Sequence, residues 1–214
     1  MSPKVTEEYL EERRQTIISA AEVCFARLGI HATTLEDIRI EAGLSRGAVY
    51  HYFKSKEDIV DGLRERSSQY DIAAWERNIV NVDALEEMLT MFRYAMQVTM
   101  GPGRKVDSRV ATFLWAEALI NERIHASQMG LNATNRPLSL RTTRRAQADG
   151  QINPELPAEA VMDAVYSMFI GLTVLAAWEP DKDMGPAQQI AESFLTGTFL
   201  TKPHVPRTTA RAGS

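Results

Sequence analysis

Residues 33–59 read TTLEDIRIEAGLSRGAVYHYFKSKEDI. Thr33-Thr34-Leu35-Glu36 has the form of a capping box, in which the Thr33 hydroxyl accepts from the Glu36 amide and the Glu36 carboxylate reaches back. It opens a helix of about two turns that ends at Gly43. A left-handed backbone is needed there, and it costs a residue with a Cβ roughly 1 kcal/mol or more. Ser45 caps a second short helix through about Tyr52. Ile38, Ala42, Leu44, Val49 and Phe53 are spaced to meet inside the corner. The second helix then shows an outward face of Ser45, Arg46, Gly47, Tyr50, His51 and Lys54. Between Leu44 and Lys56 the charges are Arg46, Lys54 and Lys56, with no acid. This positive window with two aromatics beside it suits phosphate and base-edge contacts.

Outward from this corner the signals stay helical. Residues 1–8 form a loose arm. From Tyr9 to Leu28 the apolar residues Ile17, Ala21, Cys24, Phe25 and Leu28 recur at helical steps, stopped by Gly29. Ser55-Lys56-Glu57-Asp58 is a further start signal, with acids in the first turn, for a helix expected to reach Asn78. Asp83 starts a helix with a D-x-x-E cap that stops at Gly101-Pro102-Gly103, and another runs from Asp107 to Asn121. The next stretch reaches Asp149 and Gly150, with Pro137 expected to kink or break it. Pro157 fits the first position of a helix to Trp178, and Gly185-Pro186 opens a last helix to about Leu200. Strand signals are nearly absent. The expectation is an all-α chain of about nine helices. An N-terminal three-helix helix-turn-helix domain (residues 1–60) precedes a larger helical bundle (61–201) and a disordered tail (202–214) whose residues lack the means to pack.

Composition narrows the classes. The chain has 214 residues, 44% of them hydrophobic, enough for one sizeable core or two small ones. Its formal net charge is −4, so any nucleic-acid contact must come from a local basic patch. The single cysteine, Cys24, allows no intramolecular disulfide and lies on an apolar helix face. Residues 1–16 are polar and charged, unlike a leader. The longest apolar stretch, Val165 to Trp178, is shorter than a bilayer span and carries Ser167 and Thr173. A cytoplasmic protein without a membrane partner is expected. His31, His51, His125 and His204 are scattered, with no metal-binding spacing, and no P-loop, nucleophile-elbow or dinucleotide fingerprint occurs. Neither an enzyme nor a cofactor is expected.

The run T-x-x-x-I-x-x-x-A-G-L-S-x-G-x-V-Y-x-Y-F-x-x-K-E resembles the helix-turn-helix signature of the TetR family, and RGAVYHYF is similar to its AcrR-like branch. The likeness covers residues 10–65 closely; beyond them it is one of helix order, with RRAQADGQINPELPAEAV similar to the family's way of entering the last two helices. The resemblance implies roles. Thr33 and Thr34 would place the first helix N-terminus and one hydroxyl against a phosphate. Ser45 would cap the recognition helix and touch a phosphate. Arg46 would be the main base reader, its planar fork matching guanine. Gly47 would let the backbone approach the groove, and Ala48 would offer a methyl to thymine. Tyr50 and His51 would contact backbone or bases, and Lys54 and Lys56 phosphates. Arg39 departs from the pattern, standing where the motif most often has alanine. Either its stem snorkels to solvent or the local packing differs.

The resemblance also implies a homodimer on double-stranded operator DNA, responsive to a small-molecule effector. The dimer surface is expected in the last two helices, on a stripe of Ala164, Met168, Gly171, Leu175 and Trp178, with Ile190, Phe194, Gly197 and Thr198 from the final helix. An intramolecular core stripe is the alternative. The expected effector pocket draws on Met88, Met91, Phe92, Met96, Phe113, Trp115, Met129, Tyr166 and Phe169, with Glu117 and Asn121 as polar orienting groups. That lining suits an apolar or aromatic ligand, and core packing alone is the alternative reading for most of these residues. The rival to a ligand-responsive repressor is a helical homodimer that binds a ligand or protein and no longer binds DNA, for which Arg39 is the sole support.

Overall fold

The computed structural model describes residues 6–66, 83–100 and 107–198. The N-terminal unit comprises α1 (Glu7–Leu28), α2 (Leu35–Ala42), α3 (Arg46–Tyr52) and α4, described over residues 56–66. Next come α5 (Ala84–Met100), α6 (Ser108–Glu117), α7 (Glu122–Ala148), α8 (Ala158–Trp178) and α9 (Gly185–Leu195). Among the described residues there are these nine helical segments and no strand, the all-α class expected.

Local capping explains most boundaries. The Thr6 hydroxyl accepts from the Tyr9 amide at 3.2 Å, and Glu7 and Glu8 sit at the positive end of the helix dipole. The helix therefore starts inside the segment expected to be a loose arm. Its buried face carries Ile17, Ile18, Ala21, Cys24 and Phe25, whereas Leu28, expected on that face, is exposed. The Asp83 carboxylate accepts from the Glu86 amide at 2.9 Å, as its D-x-x-E pattern implies. The last helix closes earlier than expected. Gly197 takes φ 71° and the Thr198 amide turns back to the Ser193 carbonyl at 2.9 Å. Pro157 stands at the cap position, one residue before the first helical one. The expected continuation of α4 to Asn78, the Gly101-Pro102-Gly103 stop and the tail 202–214 lie outside the described residues.

Pro137 neither breaks nor ends α7, which runs unbroken from Glu122 to Ala148. Proline forfeits one backbone donor there, and tertiary bonds on both sides hold the helix. Arg136 pairs with Asp163 of α8 at 2.8 Å. Glu87 of α5, only 1% exposed, accepts from the Thr142 hydroxyl at 2.6 Å and from Arg145 at 2.8 Å. A buried carboxylate survives when both oxygens are bonded, and this one pins α5 to α7.

Among the described residues two apolar clusters organise the chain. The first joins Ile17, Ile18, Phe25, Ile38, Val49, Phe53, Ile59 and Leu63 to Val110 and Leu114 of α6, Ala118 at its C-cap and Ile124 of α7. The second is smaller, with Phe92, Met96 and Ala191 buried and Met168, Phe169 and Leu172 against them. α8 starts seven residues before the stretch judged too short for a bilayer, and Ala158–Trp178 is long and apolar enough, by length and composition, to cross one. Only 17% of its most apolar window is buried within this chain. It packs against α5, α6, α7 and α9.

Candidate nucleic-acid interface

The corner between α2 and α3 is built from two caps and a bend. Gly43 takes φ 64° and ψ 28°, and the Leu44 amide returns to the Arg39 carbonyl at 3.2 Å. The Ser45 hydroxyl accepts from the Ala48 amide at 3.2 Å and starts α3. Ile38, Val49 and Phe53 are buried together, with Ala42 and Leu44 packed against them. The opposite face of α3 is left to solvent, where Ser45, Arg46, Gly47, Tyr50, His51 and Lys54 are exposed and Ala48 is half-buried. The Arg46 guanidinium lies 5.6 Å from the Tyr50 ring centroid, and the His51 ring meets Tyr52 edge-on at 5.1 Å. Lys54 donates to the Tyr50 carbonyl at 2.6 Å, placing a cation at the negative end of the helix. Added atoms at Gly47 would meet nothing within 4 Å, so the backbone there is open to close approach.

Two expected contacts are placed elsewhere. The capping box sits one residue later than expected: the Thr34 hydroxyl accepts from the Asp37 amide at 3.1 Å, and the Asp37 carboxylate accepts from the Thr34 amide at 2.8 Å. The Thr34 hydroxyl donates to the same carboxylate at 2.6 Å, and this bond, with that of the Thr34 amide, holds the Asp37 carboxyl below the usual carboxylate range. Thr33 is 2% exposed and its hydroxyl donates to the Gly29 carbonyl at 2.7 Å, so it faces the end of α1 instead of a phosphate. Lys56 also turns inward. Its ammonium donates to the carbonyls of Ile30 at 2.5 Å, His31 at 2.9 Å and Thr33 at 3.1 Å. Those carbonyls lie beyond the end of α1, outside helical bonding, and the three ammonium protons answer them.

Arg39 closes the corner. Its Nε and Nη2 grip Glu36 at 3.0 and 2.8 Å, and Nη1 donates to the Leu44 carbonyl at 3.0 Å. The stem lies along the surface and the head bonds the turn, so Arg39 lends no support to a distorted corner.

The joint between this head and the rest is a set of contacts that sequence reading missed. Arg123, in the first turn of α7, bridges Asp58 at 2.5 Å and Asp61 at 2.9 Å on α4. The Arg123 guanidinium, with the Lys54 and Ser55 amides, holds the Asp58 carboxyl below its ordinary range. The Asp58 amide donates to the Ser55 hydroxyl at 3.2 Å, the start signal read for α4. On α6, Phe113 lies beside Gly29, and Glu117 comes within 4.0 Å of His31.

Residues 17–63 match the model of bacterial regulatory proteins, tetR family. That match spans the corner between α2 and α3 and the helices on either side of it. It is 40% identical over 84 residues to the uncharacterized HTH-type transcriptional regulator YfiR of Bacillus subtilis, a match spanning 37% of this chain and 41% of that protein. The chain thus spans about two fifths of the length of that relative. It is 26% identical over 189 residues to the HTH-type transcriptional repressor KstR2 of Mycobacterium tuberculosis, covering 87% of this chain and 90% of the other. The fold is similar to that of the transcriptional regulator FadR from Bacillus subtilis in complex with stearoyl-CoA. That likeness has a TM-score of 0.74 at 19% identity and covers 86% of this chain and 98% of the other.

The residues expected at a pocket divide. Trp115 meets Phe169 edge-on at 5.9 Å, and Tyr166 lies 6.0 Å from Phe169. Phe92 and Met96 are buried in the cluster that Phe169 packs against. Met88 and Met91 are half-buried on α5, and Met129 is exposed on α7. Phe113 and Glu117 face the end of α1, as described above. Asn121 caps α7, accepting from the Arg123 and Ile124 amides at 3.1 and 3.2 Å, and donates to Glu57 at 3.4 Å. These three serve the joint, because α6 ends against the N-terminal unit. Of the expected dimer stripe, Ala164, Gly171, Leu175, Trp178, Ile190, Phe194, Gly197 and Thr198 are exposed. Met168 is half-buried against the chain's own second cluster.

Proposed function

We propose that this chain is a sequence-specific transcriptional regulator that binds a palindromic operator as a homodimer and is released by a small apolar or aromatic effector. The observation that carries this reading is the solvent-facing side of α3, with Arg46, Tyr50, His51 and Lys54 on a helix held rigid by its Ser45 cap and the Gly43 bend. Arg46 reads a guanine edge, Tyr50 and His51 touch backbone or base, and Lys54 approaches a phosphate, with Thr34 at the start of α2 fixing that helix end. Gly47 and Ala48 permit close approach to the groove. Residues 1–60 serve as the reading head and 61–201 as the effector and dimer region. Relatives named as repressors support the sign of regulation, and neither they nor the site suggests an enzyme. A reader of operator DNA would act in the cytoplasm.

The exposed apolar line on α8 and α9 supports a second copy as partner. Trp178 is 73% exposed in the single chain, and Leu175, Ile190 and Phe194 lie open nearby. Covering such a surface favours association, and two-fold symmetry then presents two reading heads to two half-sites. The FadR complex with stearoyl-CoA supports a small-molecule effector for this chain. A ligand that favours badly spaced heads lowers operator affinity by its differential affinity and no more.

The test is an anisotropy titration of the full chain against the DNA flanking its own gene. Arg46→Ala is expected to abolish specific binding while sedimentation shows the same dimer. Retained sequence preference in that variant would remove Arg46 from the role assigned to it.

A further inference from the structure

We infer that Arg64 of α4 is the anchor for a two-oxygen anionic group, a carboxylate or a phosphate, carried by the effector. This inference rests on the effector reading above and names the chemical class of the ligand. Arg64 is 6% exposed, and its Nη1 donates to the Ile124 carbonyl at 2.7 Å. Among the described residues its Nε and Nη2 are buried without a hydrogen-bond acceptor. Buried guanidinium donors are normally satisfied, so a pair left open calls for an occupant.

Those two nitrogens form one edge of the guanidinium, a fork that matches two oxygens. The same chain shows what this edge takes. In Arg39, Nε and Nη2 hold the two oxygens of Glu36 at 3.0 and 2.8 Å. In Arg109 they hold Asp107 at 3.0 and 2.9 Å. Among the described residues no acceptor meets that edge in Arg64. Asp61 lies near enough to favour its charge, but the Asp61 carboxylate is bonded to Arg123 at 2.9 Å. Burial pushes the Arg64 pKa down, yet a guanidinium stays charged, so the positive group persists in apolar surroundings.

The surroundings say what else the ligand carries. Tyr166 of α8 lies within the field of Arg64, and its ring is one wall of the Tyr166–Phe169–Trp115 aromatic set. An alkyl or aryl body ending in an anion fits both features, whereas a cation is repelled. The position also couples the ligand to DNA. Arg64 shares α4 with Lys56, which grips the loop between α1 and α2, and bonds to the first turn of α7. An anion on the open edge acts on the helix that leads to the reading head.

The test uses the full chain with octanoate, octyl phosphate and 3-phenylpropanoate, against the neutral octan-1-ol and 3-phenylpropanamide, by thermal shift and calorimetry. At least one anion is expected to bind and raise Tm, with Arg64→Gln weakening it about tenfold or more and leaving the neutral compounds unaffected. The carboxylate and phosphate arms separate the two anion sources. If Arg64→Gln does not fold, Arg64→Lys, which keeps the charge and loses the fork, is judged by the same criterion. The proposal is overturned if no anion binds, if neutral analogues bind as well as anions, or if the variant binds anions unchanged. Operator binding without ligand is measured in parallel. A chain that binds octanoate through Arg64 but no DNA would keep this site and sink the regulator reading instead.

Discussion

The guanidinium of Arg39 donates to the carbonyl of Leu44 at 3.0 Å, across the bend at Gly43. A side chain on α2 thus bonds the backbone that leads into α3, while its other edge holds Glu36. The crossing of the two helices is tied at the turn by a group standing where the family motif most often has alanine.

Arg39→Ala is expected to lower Tm modestly and to weaken operator binding evenly across sequences, because the corner loosens while the base-reading face is untouched. Arg39→Lys should not restore the wild-type values, since an ammonium lacks the fork that serves Glu36 and Leu44 together. Differential scanning fluorimetry and a competition titration with mutated half-sites measure both effects. A change in base preference would contradict this account.

Lys56 provides a sharper contrast. Lys56→Met strands three carbonyls and is expected to cost about 2 kcal/mol in urea denaturation. Its operator affinity should keep the wild-type salt slope, because its ammonium is spent inside the protein. Lys54→Ala should reduce that slope by about 0.9 if Lys54 neutralises one phosphate. Equal slopes in the two variants would return Lys56 to the DNA face.

Acid should loosen the joint between α4 and α7. The Asp58 carboxyl is held down by Arg123 and by the Lys54 and Ser55 amides. A carboxylate with a depressed folded pKa contributes stability that is present above its unfolded pKa and lost as pH falls through the folded one. Glu22 has the opposite sign: burial outweighs Arg66 and raises its pKa, so its protonation favours the fold on acidification. Urea midpoints measured from neutrality to about pH 3 should therefore fall less steeply in Asp58→Asn than in wild type. An unchanged slope would place the acid sensitivity elsewhere.

Trp178→Glu and Leu175→Arg are expected to shift the chain from dimer to monomer in sedimentation velocity. Both side chains are exposed in the single chain, so folding should survive. Monomers should bind operator at least about tenfold more weakly, since one head engages one half-site. Unaltered dimers would move the interface off α8.

The amino-acid sequence alone determined the helices and the corner. Caps, a left-handed glycine and apolar steps of three and four act between near neighbours, so Gly43, Ser45 and Val49 declare their roles locally, and even the one-residue shift from Thr33 to Thr34 stays within one turn. Lys56, Arg123 and Arg64 were not legible in that way. Their acceptors lie far off along the chain, at Ile30, at Asp58 and Asp61, and at Ile124. Only the tertiary fold decided that Lys56 turns inward, that Glu117 and Asn121 serve the joint, and that one side of α8 stays open. Burial and partner choice depend on which distant surfaces meet, a property that spacing along one chain does not carry.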